Sequence, residues 1–366
     1  PQPSSPPPPP PAAATPTTAP GGRDADLITE EAPLRVIIAG AGVGGLALAH
    51  ALRHGGNAVD VTVLERTKEF RRFGGPIQLA SNALQTVRDM DPELYSSVEQ
   101  AATWTGNRTN GIKDGIRDEW YAKFDLGTPA KVRKMPYTCV VERPELQQIF
   151  LDRVGDCVQK GAGVKTYSYS PTGVVVTTDK DEEIQGDVLI GADGIWSAVR
   201  ATMRNEPEKG EGSGVSYSGY TVFAGELDYD SPDSNEVGYK VYIGPKQYFV
   251  ITDIGHGRYQ WYAFLAREPN SAETEPKPAG SVPYLRDLFD GWSPDIHAIL
   301  QATTEDEVEQ RDLYDRPPSV LKSWTDHRVA LLGDSIHAMM PNLGQGGCQA
   351  IEDAKVISEE LGRSLP

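Results

Sequence analysis

The hydrophobic pattern begins with a short apolar run, which is followed by a cluster of glycines and then by a longer apolar run. Residues 36–39 are small or β-branched and predict a strand buried on both faces. Residues 46–53 are mostly small and apolar and predict a helix, and residues 59–64 predict a second strand. The 17 residues from 36 to 52 contain one polar side chain, His50, but their four clustered glycines favour strand–turn–helix over a membrane span.

The same short apolar pattern returns at residues 187–190 and 329–332, and each run leads into glycine and aspartate. Residues 143–149 and a segment from about 347 to 356 predict helices. Residues 217–264 hold 12 of the chain's 29 aromatic side chains, in strand-like runs with a turn at 255–257. This pattern predicts an antiparallel sheet. Two interpretations of its aromatics stay open: ordinary half-buried sheet surface, or an apolar roof over a ligand.

Charge and cysteine usage limit the function. The 366 residues carry 35 basic and 52 acidic side chains, a formal net charge of −17. This excess argues against nucleic acid as a partner and against simple electrostatic docking on an anionic membrane. The length predicts two domains. Three widely spaced cysteines predict neither a disulfide framework nor a metal quartet, and they favour a reducing compartment.

The prolines are concentrated at the start of the chain. Eleven of the 29 lie in residues 1–33, which predicts a disordered Pro-rich leader outside the fold. Its first 20 residues contain Ser and Thr and no acidic side chain. Two interpretations stay open, an organelle transit peptide and a linker. Because the chain lacks an initiating Met, we expect a processed chain or a fragment.

The glycine cluster fits the dinucleotide-binding pattern G-x-G-x-x-G at Gly40, Gly42 and Gly45, with Gly44 inside it. Such glycines allow a tight turn, close approach of a pyrophosphate and close helix–strand packing. Glu65 ends the second strand, where a carboxylate would accept hydrogen bonds from an adenosine ribose. The motif does not distinguish FAD from NAD(P). For the basic residues that follow, phosphate contact and a solvated loop stay equally open; they are Arg66, Lys68, Arg71 and Arg72.

Two later strands each deliver a carboxylate to a glycine turn. Asp193 follows the strand at 187–190, and Asp334 follows the strand at 329–332. In open α/β sheets, ligands bind at the carboxyl ends of the strands. Either aspartate alone could be a helix cap, but the two together, after the first motif, predict one cofactor site.

These three motifs resemble those of flavoprotein monooxygenases of the para-hydroxybenzoate hydroxylase type. The resemblance implies that FAD is the cofactor, with NADPH as the electron source. Asp334 would contact the ribityl or pyrophosphate part of FAD, and Asp193 would support FAD and the nicotinamide donor. Arg143 matches the family's flavin-contacting arginine. The remaining residues that the resemblance assigns to the cofactor are Gly333, Pro341, Gly344, Gly346 and Gly347.

The resemblance also implies an α/β fold in which a Rossmann-like FAD-binding domain is interleaved with an antiparallel-sheet substrate domain. We expect the FAD-binding domain at residues 34–100, 138–204 and 325–366. We expect the substrate domain at 101–137 and 205–324. The chain would then stop before the family's closing helices and a forkhead-associated domain.

Residues 217–221, 238–242, 246–250, 260–264 and 331–353 resemble the zeaxanthin epoxidase branch of that family. This implies O2-dependent epoxidation of a xanthophyll ring double bond, in the xanthophyll cycle and abscisic acid synthesis. It further implies ferredoxin as an electron donor, a plastid stroma or thylakoid-surface location and peripheral membrane association. The sequence predicts no catalytic side chain, because the flavin carries the chemistry.

Three rival functions stay open: a flavin-dependent aromatic hydroxylase, an NAD(P)-dependent reductase and a non-catalytic flavin-binding fragment. Other chemistries are not supported. No histidine spacing resembles H-E-x-x-H, so no protein metal site is predicted. His337 is interpreted as a packing or cofactor-shell residue. Ser335 lacks the G-x-S-x-G elbow of a hydrolase, and the chain has no P-loop.

Overall fold

A computed structural model of the chain describes residues 28–70, 75–277, 279–319 and 322–365. The first ten strands are β1 (Leu34–Ala39), β2 (Val59–Glu65), β3 (Ile77–Leu79), β4 (Thr103–Trp104), β5 (Thr109–Asp114), β6 (Trp120–Lys123), β7 (Cys139–Val141), β8 (Val158–Lys160), β9 (Val164–Ser170) and β10 (Gly173–Thr178). The later strands are β11 (Glu183–Gly186), β12 (Val188–Gly191), β13 (Ser216–Asp228), β14 (Val237–Gly244), β15 (Gln247–Gly255), β16 (Arg258–Ala266), β17 (Val308–Asp315), β18 (Thr325–Asp326) and β19 (Val329–Leu331).

The helices are α1 (Val43–His54), α2 (Ser81–Met90), α3 (Pro92–Ala101), α4 (Gly127–Val132), α5 (Arg143–Val154), α6 (Ala198–Arg204), α7 (Ser271–Thr274), α8 (Ser281–Leu288), α9 (Pro294–Ala302), α10 (Asp334–His337) and α11 (Gly346–Arg363). Short 3-10 turns lie at Gly155–Cys157, Glu305–Glu307 and Pro341–Leu343. None of these helices is long and apolar enough to cross a membrane.

The first sheet has the strand order β18–β19–β12–β1–β2–β8, and every pair except β18–β19 is parallel. The predicted strand at residues 36–39 lies at its centre. Val36 and Ile38 pack against the layer of α1, α2, α3, α5 and α11, whereas Ile37 and Ala39 face the opposite side. That side is covered by the antiparallel sheet β9–β10–β11 and by α6. A strand covered on both faces needs an unbroken apolar run, which is the pattern in the sequence.

The second large sheet has the order β17–β13–β16–β15–β14–β5–β6 and is antiparallel except for the pair β14–β5. Helices α8 and α9 cover one face, where Phe249 and Trp261 stack at 5.4 Å between ring centres. The predicted antiparallel sheet over 217–264 is therefore confirmed. So is its turn, because Gly255, His256 and Gly257 all have positive φ between β15 and β16.

Three details differ from the sequence-based expectations. Helix α1 begins at Val43 rather than Leu46, because the close approach of α1 to β1 and α11 places Gly44 and Gly45 inside the helix. Ile28 is buried in the helix-side core, although the leader was expected to extend to residue 33; residues 1–27 of that leader lie outside the described residues. Strand β4 was assigned to the substrate domain, but it pairs with β7 in the small sheet β3–β7–β4. The other domain boundaries stay predictions.

Candidate functional site

The turn between β1 and α1 has one glycine that faces open space. A Cβ on Gly40, which has φ of +102°, would lie 2.4 Å from the carbonyl oxygen of Ala192. A Cβ on Gly45 would lie 2.0 Å from the carbonyl oxygen of Gly40. A Cβ on Gly42 would meet nothing within 4 Å. Gly40 and Gly45 therefore allow close packing, whereas Gly42 borders a space that a ligand can occupy.

Gly44 has a packing role in this structure. Its Cβ would lie 2.7 Å from Cδ1 of Leu332 and 3.0 Å from Cβ of Ala350. The residue thus lets α11 approach α1 closely. The prediction that Gly44 helps to bind the cofactor stays a prediction.

The first amides of α1 are free to bind an anion. Leu46 donates its N–H to Gly42, so the amides of Val43, Gly44 and Gly45 precede the first intrahelical bond. No described side chain caps this end, and its first turn has no acidic residue. A helix terminus of this kind stabilises a phosphate through its free N–H groups and its dipole.

Glu65 braces the same turn. Its carboxylate accepts hydrogen bonds from the Ala41 amide at 2.8 Å and from the Thr67 amide at 2.7 Å. Gln147 on α5 adds a third tie by donating its side-chain amide to the Ala41 carbonyl at 2.8 Å. The carboxylate that was predicted to bind ribose is therefore fixed by two amides at the carboxyl end of β2, with lone pairs left for a ligand hydroxyl.

Asp193 lies beside this turn, just after β12. Its Oδ2 accepts from the amides of Ala198 at 2.8 Å and Val199 at 3.2 Å, at the start of α6. Its Oδ1 is buried and has no hydrogen-bond partner among the described residues. Burial raises the pKa of this carboxyl above its ordinary value. An unpartnered buried oxygen is costly, and a ligand donor would satisfy it.

Asp334 lies at the start of α10, and a Cβ on Gly346 would be 4.0 Å from its Oδ1. Burial raises the pKa of the Asp334 carboxyl, and the positive charges of His337 and Arg143 partly offset this effect. Asp334 therefore lies beside the start of α11, and Arg143 is near enough for its charge to act on the Asp334 carboxyl; the contacts predicted between these residues and the cofactor stay predictions.

A hydrogen-bonded pair, Asp353 and His337, joins the glycine turn at Gly333 to α11. Asp353 Oδ2 accepts the Gly333 amide at 2.8 Å and lies 2.6 Å from Nε2 of His337. Burial would lower the pKa of His337, but the Asp353 carboxylate outweighs it and raises that pKa. Asp353 and Gln147 were not predicted from the sequence, because no local signal links them to Gly333 and Ala41, which lie 20 and 106 residues away.

The segment that leads into α11 packs on β3. Gly344 has φ of +60°, and a Cβ there would lie 2.8 Å from Nε2 of Gln78; a Cβ on Gly347 would lie 3.2 Å from Ile77. Pro341 opens the preceding turn. No described side chain caps α11, so Gly346 and Gly347 form a second helix terminus with free amides.

The predicted basic cluster is only partly described. Arg66 is exposed, and its aliphatic stem packs against Gly163, where a Cβ would lie 2.9 Å from Cβ of Arg66. The stem of Lys68 similarly lies near Gly161. Arg71 and Arg72 lie outside the described residues. The contact predicted between Arg66 and a phosphate stays a prediction.

The face of the second sheet that α8 and α9 do not cover lies opposite these motifs. Tyr248 donates its hydroxyl to Oδ1 of Asn342 at 2.9 Å, in the turn before α11. A Cβ on Gly75 would lie 2.9 Å from the hydroxyl of Tyr262. Tyr248 and Phe264 stack at 4.2 Å between ring centres on that face. An aromatic surface therefore borders the cleft that the glycine motifs line.

These features fit a dinucleotide. The cleft offers an open cradle at Gly42, two uncapped helix ends and a buried carboxylate oxygen without a partner. Together with the parallel sheet, they define a nucleotide-binding α/β protein of the Rossmann type that carries a second, mainly antiparallel sheet.

The chain belongs to the FAD binding domain family, whose model matches residues 33–365. Its fold is that of flavoprotein hydroxylases of the para-hydroxybenzoate hydroxylase type, and its cofactor is FAD. It is similar to Klebsiella pneumoniae HpxO complexed with FAD and uric acid, with a TM-score of 0.77 and 25% identity over 89% of this chain and 79% of that one. A salicylate hydroxylase substrate complex gives a TM-score of 0.73 at 20% identity, over 91% and 80% of the two chains.

Two sequence relatives are chloroplastic zeaxanthin epoxidases. The protein of Oryza sativa subsp. japonica is 43% identical over 90% of this chain and 49% of its own length. That of Spinacia oleracea is 41% identical over 91% of this chain and 48% of its own length. The chain thus spans about half the length of these curated relatives.

Proposed function

We propose that this chain is the FAD-dependent monooxygenase part of a plastid xanthophyll epoxidase, which converts zeaxanthin to antheraxanthin and violaxanthin. The proposal rests on the identity of 41–43% to chloroplastic zeaxanthin epoxidases over about nine-tenths of the chain. The structural observation that supports it is the aromatic face formed by Tyr248, Tyr262 and Phe264, opposite the glycine motifs. The proposed substrate, location and activity are all inferred from the sequence identity to these epoxidases.

The register of the strands defines that face. Val250 lies beside Tyr262, and Tyr248 lies beside Phe264. Burial raises the pKa of Tyr262 to about 12 and moves the pKa of Tyr248 upward as well, which shows that the surroundings of both phenols disfavour a charge on them. An aromatic surface of this kind suits the end ring and conjugated chain of a carotenoid.

The chemistry of an alkene agrees with this surface. A ring double bond gives up no proton when it is epoxidised, so the site needs no general base. Bound FAD, once reduced, would activate O2, so that one oxygen atom is transferred to the alkene and the other leaves as water. The chain's residues would hold the cofactor and place the alkene in a site that excludes water.

The cofactor contacts are inferred from the glycine motifs and the family resemblance, and the geometry of the cleft supports them. The amides that follow Gly42 would hold the pyrophosphate, and Glu65 would accept from the adenosine ribose. Asp334 and the unpartnered oxygen of Asp193 would accept further hydroxyls. Gly346 and Gly347 would place the positive end of α11 under the flavin ring, where a reduced flavin carries negative charge.

Electrons would come from NADPH, with ferredoxin as their carrier, and the enzyme would reach a lipid-soluble substrate by peripheral association with a membrane. These partners are inferred from the resemblance to the family.

The decisive experiment is product analysis with bound FAD. The full-length protein and this chain are each supplied with NADPH, ferredoxin with its reductase, and zeaxanthin in lipid micelles. We expect the monoepoxide and then the diepoxide. Hydroxylation of a phenol without any epoxide would favour the aromatic hydroxylase, and bound FAD without donor-dependent O2 consumption would favour a non-catalytic fragment.

A matched variant tests the aromatic face. Val250→Asp places a charge on that face, and Val250→Leu preserves its character. We expect the aspartate variant to lose epoxidation while it retains FAD, and the leucine variant to keep both. Equal activity in the two variants would contradict the assignment of this face to the substrate.

A further inference from the structure

Three potential metal ligands meet at the opposite end of α1 from the glycine turn. His50 and His54 are four residues apart on α1, and Asp91 precedes α3 as its N-cap. Side chains at this spacing lie on the same face of a helix. Paired histidines at positions i and i+4 are a recurrent zinc-binding arrangement.

The donor atoms are close enough for one ion. One donor atom from each residue lies within 4.8 Å of the others. The imidazole rings of His50 and His54 are stacked, with centres 5.3 Å apart and an angle of 21° between their planes. His54 is exposed, so a small change of its rotamer can close the remaining gap.

His50 and Asp91 are in ion-pair contact, but their geometry is poor for a hydrogen bond. Nε2 of His50 lies 3.0 Å from Oδ2 of Asp91, yet neither atom has a hydrogen-bond partner among the described residues. The two residues are only 4% and 2% exposed. Two donor atoms each about 2.1 Å from one ion lie roughly 3.0–3.4 Å apart, which is the observed separation. A shared cation would satisfy both buried atoms.

We propose that His50, His54 and Asp91 bind a divalent transition-metal ion of the zinc type, with water at the exposed fourth position. Two imidazole nitrogens and one carboxylate oxygen suit Zn²⁺, Co²⁺ and Ni²⁺. The site is separate from the cofactor cleft, because the eight residues from Gly42 to His50 span about 12 Å of helix. It departs from the sequence-based expectation of no metal site, which considered only H-E-x-x-H.

The ion would have a structural role, in which it stabilises the packing of two helices. It joins α1 to the start of α3, and Arg153 on α5 lies 3.6 Å from Oδ2 of Asp91. The Arg153 guanidinium also lies 3.5 Å from Glu93, so it can move toward that carboxylate when an ion binds. Because an unfolded chain lacks the assembled site, ion binding stabilises the folded state.

The test uses the FAD-saturated protein after removal of metals with a chelator. Zn²⁺ alone is added while melting temperature and bound metal are measured. We expect one ion per chain and a melting temperature about 3–8 °C higher at an ion concentration of about 100 times Kd. Co²⁺ should give a visible ligand-field spectrum without thiolate charge-transfer bands.

Variants identify the ligands. His54→Ala removes an exposed ligand without disturbing the core and should weaken binding at least tenfold. Asp91→Asn keeps the helix cap but removes the carboxylate charge, and it should have the same effect. His256→Ala, at the exposed turn of the second sheet, is the matched control and should bind as the parent protein does. The proposal is overturned if His54→Ala and the parent bind Zn²⁺ equally, or if the Co²⁺ spectrum shows thiolate ligation.

The neighbouring cation provides an independent check. Arg153→Gln removes a positive charge beside the proposed ion and should tighten Zn²⁺ binding roughly three- to tenfold. Unchanged or weaker affinity in this variant would contradict the placement of the ion against Asp91.

Discussion

The three glycines of the first turn give a prediction that separates cofactor binding from folding. In Gly42→Ala the new Cβ meets no protein atom within 4 Å, and φ of −72° at this position suits alanine. The folded state is therefore not strained. Alanine is a poorer N-cap than glycine but restricts the unfolded chain, so we expect the free energy of unfolding without FAD to change by less than about 1 kcal/mol.

The same methyl group fills the proposed pyrophosphate cradle. If it displaces the ligand from one amide, FAD loses a charge-assisted hydrogen bond worth about 1.5–3 kcal/mol. Its affinity should then fall roughly 10- to 150-fold. The assay combines FAD titration by flavin fluorescence with urea unfolding of the FAD-free protein. Wild-type affinity in Gly42→Ala would refute the assignment of the pyrophosphate to this turn.

Gly45→Ala is the matched control, three residues further along the same turn. Its Cβ would lie 2.0 Å from the backbone oxygen of Gly40, which cannot move without shifting β1. We expect the loss of stability to appear in urea with or without FAD. Unimpaired stability in this variant would show that α1 lies further from β1 than it does here.

Three further outcomes are expected. Asp187→Ala should destabilise the fold by about 2–4 kcal/mol in urea unfolding. The substitution removes a buried carboxylate that accepts hydrogen bonds from the Arg35 guanidinium at 2.8 Å and from the Arg35 amide at 2.9 Å. A change below about 0.5 kcal/mol would contradict this account. His337→Gln should lower the free energy of unfolding by about 1.5–3 kcal/mol near pH 6 and by less near pH 9. Because Asp353 raises the folded-state pKa of His337, the ion pair stabilises the fold fully below the ordinary pKa of 6.5 and is lost as the pH rises through the folded-state pKa. An equal loss of stability at both pH values would argue against the ion pair. Glu65→Gln should weaken FAD about tenfold in the fluorescence titration and should also lower the free energy of unfolding by about 1–3 kcal/mol, since its NH2 group faces one of the two backbone amides that the carboxylate accepts; unchanged affinity would exclude a ribose contact.

Features encoded in a few consecutive residues could be predicted from the sequence. The strand, glycine turn and Glu65 are such features, because the period of a strand and the needs of a tight turn act within about 30 residues. The start of α1 could not be predicted so well. Glycines inside a helix cost about 1 kcal/mol each, so helix propensity alone moves the expected start beyond Gly45. Tight packing against Leu332 and Ala350, which lie far away in sequence, offsets this cost.

Contacts between distant segments could not be predicted in the same way. Asp353 reaches the Gly333 amide only because α11 packs along α1. His50 meets Asp91 only because α3 begins beside the end of α1. Each of these side chains occupies an ordinary helix or cap position, and no residue near it in sequence marks its partner. Their geometry depends on how helices pack, which a single sequence specifies only through the whole core.

The negative charge of the chain is compatible with a pyrophosphate ligand because the two act over different distances. A net charge of −17 acts on a distant anion through long-range repulsion, which salt screens within about 10 Å. The proposed contacts in the cleft are short-range, between phosphate oxygens and the amides that follow Gly42 and Gly346. Neutral amides at a helix terminus bind an anion by direction and by dipole rather than by net charge. The excess of acidic side chains therefore disfavours a polyanion such as nucleic acid, which needs many basic contacts, without opposing one dinucleotide held at two helix ends.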